Sequence, residues 1–219
     1  MGARTAGYVA AAALSLATAS IAGATQARAP IPGTEGCVGC HSGPAEKSYA
    51  LSKHGVIARL EAGRTRAGAP PRAPTCVTCH PSQARRPSTP HHDNPRARER
   101  ARAAATATCG DCHAPRYVAV QLDAAARSLA IGEMKRREAQ ALVESARGDA
   151  DPTASARIET LYASLVATDL RSLRLGLGHQ SPDDQWWLGQ AALDGSLLRI
   201  KGALSEARRD AARSAAAAR

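Results

Sequence analysis

One pentapeptide whose residue types could carry redox chemistry occurs three times in this chain of 219 residues. The pattern is Cys-x-x-Cys-His, and its copies use every cysteine of the sequence: Cys37-Val-Gly-Cys40-His41, Cys76-Val-Thr-Cys79-His80 and Cys109-Gly-Asp-Cys112-His113. This spacing is the attachment signature of c-type haem. The two thiols can form thioether bonds with the vinyl groups of one porphyrin, and the histidine that follows can bind the iron from one face. The sequence therefore predicts three covalently bound c-type haems, with all six cysteines as attachment sites and the motif histidines as iron ligands.

Other uses of paired cysteines fit the pattern less well. A structural zinc site also combines Cys-x-x-Cys pairs with histidine, but here it would leave three separate Cys2His sets that each need a fourth ligand. A disulfide framework does not require a histidine after every pair, and a thioredoxin-like redox site uses a single pair. Haem attachment accounts for the cysteine and histidine positions together.

The N-terminal stretch predicts export. Arg4 precedes an uncharged, Ala-rich run from Val9 to Ala24, and small residues offer cleavage after Ala24 or Ala27. This order is typical of a secretory signal peptide. The alternative is a retained membrane anchor, which is disfavoured because the run is short and weakly apolar for a span of about 20 residues. We interpret residues 1–27 as a cleaved signal peptide and expect the mature protein in the bacterial periplasm, where c-type haem is attached.

Composition divides the mature chain into two parts. The chain has no Phe, two Trp and four Tyr, and residues 28–116 are rich in Pro, Gly and Arg but poor in large apolar side chains. Such a segment cannot bury enough apolar surface to offset its ordering entropy. Porphyrin faces would supply the missing core, since metal binding contributes to folding. We therefore expect a trihaem cytochrome c domain over residues 28–116 and a helical region over residues 117–219 that packs on it.

Residues 117–219 carry strong helix signals. An apolar stripe runs from Tyr117 to Arg147, and Asp151-Pro152 is typical of an N-cap followed by a first-turn proline. The next helix is expected to stop at Gly176-Leu177-Gly178. The last helix is expected to begin with Ser181 as its cap, Pro182 at the first helical position, and Asp183 and Asp184 as acids in the first turn. It carries an apolar seam at near-heptad spacing: Trp186, Leu193, Leu197, Ile200 and Leu204.

Two shorter helices are predicted between the motifs, from Glu46 to Ala62 and from Arg96 to Thr106. Pro- and Gly-rich loops connect them to the motifs. In the C-terminal region, short connections between long amphipathic helices favour antiparallel neighbours. The predicted fold class is mainly α: a loop-rich multihaem core followed by an antiparallel bundle of about three long helices.

The iron of a c-type haem has a second axial position, whose ligand largely sets the chemistry of the haem. Methionine is nearly excluded there, since Met1 would leave with the signal peptide and Met134 is the other one in the chain. Outside the motifs the histidines are His54, His91, His92 and His179. We predict His54, His92 and His179 as the distal iron ligands, with His91 as the alternative to His92. Which of them serves which haem is left open by the sequence.

The formal net charge of +10 bears on the choice of partner. A basic surface attracts acidic macromolecules and anionic lipid, but export argues against nucleic acid. We expect the partners to be other redox proteins with acidic docking surfaces, among them a membrane quinol-oxidising or multihaem complex. Some arginines are expected to pair with haem propionates.

Four sequence contexts accompany the haem motifs: Ser52-x-His54-Gly55, Pro74-Thr-Cys76 leading to His80-Pro81, a following His92-Asp93, and Trp186-Trp187 downstream of His179. Together with the motifs, they resemble the hydroxylamine oxidoreductase-like superfamily of multihaem cytochromes c, which includes the tetrahaem cytochromes of ammonia oxidation. The resemblance covers residues 37–201. It implies close-packed, mostly bis-His haems, a helical tail and periplasmic electron transfer. The chain is smaller than the oxidoreductase itself, carries fewer haem motifs, and has no identifiable counterpart of the tyrosine that cross-links the haem of that enzyme.

Three functions are compatible with these features. The first, which we favour, is a small cytochrome that passes single electrons between redox partners and has no catalytic residue. The second is an oxidoreductase that acts on a nitrogen or sulfur compound at one five-coordinate haem, which requires one of the spare histidines not to ligate. The third is a subunit whose helical seam from Trp186 to Leu204 docks on a larger redox complex.

Overall fold

The structure, a computed structural model, describes residues 37–38, 41–62, 72–80, 94–149 and 151–219. Within these ranges it is mainly helical and contains no strand, so the predicted mainly α class is confirmed. No helix in the same ranges is both long enough and apolar enough to cross a membrane.

The helices fall into two groups along the chain. The first group belongs to the part of the chain that carries the Cys-x-x-Cys-His motifs and consists of α1 (Pro44–Leu51), α2 (Lys53–Ala62), α3 (Cys76–Cys79) and α4 (Pro95–Gly110). The second group begins with α5 (Pro115–Asp149) and α6 (Pro152–Ser164). It continues through a π-helical segment π1 (Leu165–Leu170), then α7 (Arg171–His179), α8 (Pro182–Gln185), a second π-helical segment π2 (Trp186–Ala191) and α9 (Ala192–Ala217).

The predicted helix from Glu46 to Ala62 is in fact two helices that meet at Ser52. The backbone there is extended, with ψ at 160°. The Ser52 hydroxyl donates to the carbonyl oxygen of Tyr49 at 2.7 Å and accepts from the N–H of Gly55 at 3.1 Å, so it bridges the break. A Cβ at Gly55 would lie 2.1 Å from the Tyr49 carbonyl oxygen, which only glycine avoids. This tight corner sets the direction in which α2 presents His54.

The apolar core lies among the C-terminal helices. Its largest fully buried apolar side chains are leucines and isoleucines: Ile158, Leu165, Leu170, Leu173, Leu193 and Ile200. Burying each of them stabilises the fold by about 1.5–3 kcal/mol. Among the described residues before position 81, the buried apolar side chains are only Tyr49, Ala50 and Ala73. The motif-bearing segment thus has little apolar core within the described ranges, and α1 packs against α7 and α8.

Polar contacts show that α5 and α6 run in opposite directions. Asp151 caps α6 by accepting hydrogen bonds from two backbone N–H groups, as its sequence context predicts. Just across this turn, Arg147 pairs with Glu159 at 2.7 Å. Further from the turn, Arg136 donates to the hydroxyl of Tyr162 at 3.3 Å. From the first contacting pair to the second, the residue number decreases in α5 and increases in α6. The two helices are therefore antiparallel.

Helix α9 returns parallel to α5. Lys135 pairs with Asp194 at 2.7 Å, and Glu138 pairs with Lys201 at 2.6 Å. Both numbers rise together, so the two helices share a direction, while α6 lies antiparallel to both. Consecutive long helices therefore alternate in direction in the C-terminal part.

The end of α7 and the start of the last helix both differ from what the sequence predicts. Helix α7 does not stop at Gly176–Gly178 but continues to His179, and Gln180 then reverses the chain with φ at 54°. Trp186, predicted on the buried seam, is 64% exposed. The cause is π2, since a π turn holds an extra residue and rotates the preceding side chains away from the seam. The other seam residues, Leu193, Leu197, Ile200 and Leu204, are buried as predicted.

Two glycines in α7 give a matched test of this packing. A Cβ at Gly176 would lie 2.6 Å from the backbone nitrogen of Gln185 and 2.7 Å from the carbonyl carbon of Asp184, whereas a Cβ at Gly178 would meet nothing within 4 Å. We expect Gly176→Ala to lower the free energy of unfolding by about 1–3 kcal/mol, because backbone must move to admit the methyl group. Gly178→Ala should leave it unchanged or raise it by up to about 1 kcal/mol, because alanine favours the helix. Denaturant unfolding of both variants checks the pair, and equal effects would contradict the close approach of α8 to α7.

Candidate functional site

The second and third motifs share one local backbone geometry. In the second, Cys76 to Cys79 form the single turn α3, and the N–H of His80 donates to the carbonyl oxygen of Cys76 at 2.8 Å. In the third, the N–H of His113 donates to the carbonyl oxygen of Cys109 at 2.9 Å. Each motif is thus wound into one helical turn that ends at its histidine. That winding keeps two thiols and one imidazole close together on a short piece of backbone.

Local capping explains why the second motif folds this way. Thr75 precedes α3 as its N-cap, with an extended backbone, and its N–H donates to the hydroxyl of Thr78 at 3.1 Å. The Thr75 side chain accepts in return from the Thr78 N–H, which completes a capping box. A four-residue turn too short to be stable alone is held in this way.

The first motif is described only in part. Cys37 and Val38 are helical, and His41 is exposed at the turn before α1, whereas Cys40 lies outside the described residues. His91 and His92, the predicted alternatives for one distal ligand, also lie outside them.

Neighbouring motifs are brought together through their thiols. Burial raises the pKa of the Cys76 thiol, and the nearby Cys37 of the first motif raises it further. Burial likewise raises the pKa of Cys79, with a second contribution from Cys109 of the third motif. The second motif therefore has a thiol of each of the other two motifs as a neighbour.

His54 and the motif histidine His113 face each other, although 59 positions separate them in the sequence. Their ring centroids are 6.0 Å apart and the ring planes are inclined by 35°. Burial lowers the pKa of His54, and the neighbouring His113 lowers it further, so the imidazole is held neutral. The ring of Tyr117 also lies near His113, with the centroids 5.0 Å apart and the planes inclined by 31°. The structure thus places a predicted distal ligand beside one particular motif.

His179 occupies the corresponding position near the second motif. Burial lowers its pKa, His80 is the second cause, and Asp184 acts in the opposite direction. Its Nδ1 atom is buried without a hydrogen-bond partner. The ring of Tyr49 meets it edge-on, with the centroids 6.4 Å apart. Since His179 is the last residue of α7, the end of that helix is what carries the imidazole to the motif.

The donor set fits a c-type haem. An ion bound at about 2.0 Å by one nitrogen from each of two opposed imidazoles would hold the ring centroids about 6 Å apart, which is the separation between His54 and His113. Metal ligation requires neutral imidazole, and burial lowers the pKa of both His54 and His179. Within the described ranges, no three or more His, Cys, Asp or Glu side chains converge into a group that could hold a single metal ion.

Sequence reasoning missed the surroundings of His179. Ser181 is the N-cap residue of α8, as predicted, but its hydroxyl makes no capping bond and is buried without a partner. Asp184, interpreted as a first-turn acid, is buried and leaves one carboxylate oxygen unpartnered. The sequence analysis gave Tyr49 no role, yet its hydroxyl bonds to Pro74 before the second motif and its ring meets His179. The signal in the sequence that could have indicated the burial of Asp184 was its place between Pro182 and the Trp186-Trp187 pair.

No protein-family model matches the chain, and no curated protein matches it either.

Tyr49 provides a prediction for the stability of the site. Its hydroxyl donates to the carbonyl oxygen of Pro74 at 2.7 Å, just before the second motif. Burial, followed by the Cys76 and Cys79 thiols, raises the pKa of Tyr49 to about 12. We expect Tyr49→Phe to cost about 1 kcal/mol of unfolding free energy at neutral pH. Tyr117→Phe, which removes an exposed hydroxyl, should cost much less.

The pH dependence follows from the sign of this shift. A raised pKa means that the fold favours the neutral phenol, so its contribution is complete below about pH 10 and is lost as the pH rises towards 12. The difference in unfolding free energy between wild type and Tyr49→Phe should therefore be constant below pH 10 and shrink above it. Urea unfolding across this range measures the difference, and a gap that widens with pH would contradict the assignment.

Proposed function

We propose that this chain is a small periplasmic trihaem c-type cytochrome that transfers single electrons between redox partners. The observation that carries the proposal is that histidines from distant parts of the chain come near one another: the ring centroids of His54 and His113 are 6.0 Å apart, and His80 is near enough to lower the pKa of His179. Each pair joins a motif histidine to a predicted distal ligand. Paired neutral imidazoles at an iron close both axial positions, which suits electron relay rather than substrate binding.

The residues have distinct parts in this proposal. The motif cysteines would hold three haems covalently, and a bound haem supplies a one-electron iron couple. His80 and His113 are the proximal ligands of the second and third haems, and the pairings assign His179 and His54 to their distal faces. His41 is the proximal ligand of the first haem. His92, with His91 as the alternative, remains the proposed distal ligand there.

The arrangement of motifs supports stepwise transfer along the chain of haems. Thiols of the first and second motifs are neighbours, and so are thiols of the second and third. We infer a loop-rich haem core in that order, backed by the antiparallel helical bundle of residues 117–219. Export through residues 1–27 and membership of the hydroxylamine oxidoreductase-like superfamily are parts of the same proposal, and they rest on the sequence contexts alone.

The third haem is the proposed contact point for a partner. Helix α4 ends in the third motif, and none of its residues is buried. It exposes Arg96, Arg98 and Arg100, while Arg102 pairs with Asp123 at 2.9 Å. A partner redox protein with an acidic surface would be drawn to this face, and its attraction would weaken with salt.

The decisive experiment uses protein matured in a host that attaches haem. Mass spectrometry should give three haems per chain, and electron paramagnetic resonance should give low-spin iron at all of them. Addition of nitrite, hydroxylamine or carbon monoxide should leave the spectra unchanged, because no axial position is open. A high-spin signal in the resting protein that shifts with these ligands would favour the oxidoreductase instead. A polypeptide without haem, or one loaded with zinc, would overturn the proposal.

Loss of one distal ligand should affect one haem only. We expect His54→Ala to convert about one third of the iron to a high-spin or ligand-binding form, since one of three haems loses its sixth ligand. His54→Met should keep that haem low-spin and raise its potential, because thioether ligation favours ferrous iron. Lys53→Ala, at the exposed neighbouring position, is the matched control. Unchanged spectra for His54→Ala would show that His54 does not ligate, and spectroelectrochemistry would record all these changes.

A further inference from the structure

Several buried polar atoms that lack hydrogen-bond partners belong to the junction of α7 with α8 and to α1, which packs against it. They are His179 Nδ1, Ser181 Oγ, Asp184 Oδ2 and Ser48 Oγ. A buried polar atom left unpaired costs about 1–3 kcal/mol, and native proteins rarely leave several together. Such a group therefore calls for a functional explanation.

One donor and one acceptor in this set are complementary. The imidazole of His179 can donate from Nδ1, whereas an ionised Asp184 can only accept. Asp184 is only 7% exposed, so water does not readily satisfy its oxygen. Its carboxylate also counteracts the lowering of the His179 pKa, as a negative charge close to the ring must.

The backbone fixes the position of Asp184 against the end of α7. After the reversal at Gln180, the Ser181 N–H donates to the carbonyl oxygen of Gly176 at 2.9 Å, and the Gln185 side chain donates to the same oxygen at 3.0 Å. The Cβ of Asp184 would lie 2.7 Å from a Cβ placed at Gly176. Gly176 is three residues before His179, and positions so spaced are neighbours on a helix surface. The Asp184 side chain thus lies against the face of α7 that ends in His179.

We propose that Asp184 is a positioning residue for His179: in the haem-bound protein its carboxylate turns to accept a hydrogen bond from Nδ1–H, a bond that neither atom makes in this structure, and leaves Nε2 free to bind iron. The inference rests on the proposed function, because it takes His179 as the distal ligand of the haem at the second motif. Metal-bound histidines commonly donate their other ring N–H to a carboxylate, which fixes the tautomer and the ring orientation. The hydroxyls of Ser48 and Ser181 are weaker acceptors than a carboxylate.

This hydrogen bond would also tune the iron. An imidazole that donates to a carboxylate is a stronger electron donor, so it stabilises ferric over ferrous iron. The second haem would then have a lower potential than its ligand type alone sets. That haem lies between the other two in the proposed order, so its potential governs the passage of electrons across the chain.

Asp184→Asn in the full-length holoprotein tests the proposal. We expect three haems per chain, as in wild type. The oxidised-to-reduced ratio of one haem should change by about tenfold at a given potential, which corresponds to a midpoint potential raised by about 59 mV for one electron. One low-spin iron should also show altered g values. Asp184→Glu should restore the wild-type potential. Asp183→Asn, which removes an exposed charge at the adjacent residue, and Ser181→Ala should leave the potential unchanged.

The same substitution made in a His179→Met variant distinguishes loss of the hydrogen bond from loss of the Asp184 charge alone. In His179→Met the Nδ1–H is gone, so adding Asp184→Asn should no longer shift the potential. The same shift in both backgrounds would overturn the positioning role and leave only a Coulombic one, and three low-spin haems with unchanged potentials in Asp184→Asn would overturn it outright. Absence of haem from the wild-type chain would instead be a failure of the proposed function, and haem quantification distinguishes that case.

Discussion

Tyr49 ties together three parts of the molecule that are far apart in the sequence. Its hydroxyl holds the backbone before the second motif at Pro74, its ring meets His179 at the end of α7, and its carbonyl oxygen accepts from Ser52 at the corner before α2. The motif-bearing segment that the structure describes buries little else that is apolar. Among the described residues before position 81, Tyr49 is thus the one large buried side chain that links the second motif to the end of α7.

Features with a local physical cause could be predicted from the sequence. Asp151 before Pro152 begins a helix because the carboxylate satisfies free N–H groups and proline suits the first turn. The seam of α9 is buried because its apolar residues recur on one face. By contrast, the break at Ser52 depends on a close approach of Gly55 to Tyr49, and the exposure of Trp186 depends on a π turn. Neither leaves a signal in nearby residues.

The same division applies to the candidate site. Motif spacing is enough to propose the cysteines and the motif histidines as haem-binding residues, since in the second and third motifs they lie within one helical turn. Histidine count narrows the distal candidates but cannot pair them with motifs, because pairing is a property of tertiary packing. The 6.0 Å separation of the His54 and His113 rings and the influence of His80 on the pKa of His179 are the observations from which we propose that pairing. The role of Asp184 could not be predicted for another reason. In the sequence it looks like an ordinary acid in the first turn of a helix, whereas its burial depends on the chain reversal at Gln180.

Because of the π2 segment, the number of residues between Asp184 and Leu193 determines where the Asp184 side chain lies. The segment inserts one surplus residue between Asp184 and the core residue Leu193, and Gly189 inside it would place a Cβ 2.4 Å from the Asp184 carbonyl oxygen. Deleting a single residue there would regularise the helix but turn everything before it by about 100° around the axis. Asp184 would then swing away from the end of α7. The interval from His179 to Leu193 is in this sense a second fixed spacing in the chain, beside that of the pentapeptides.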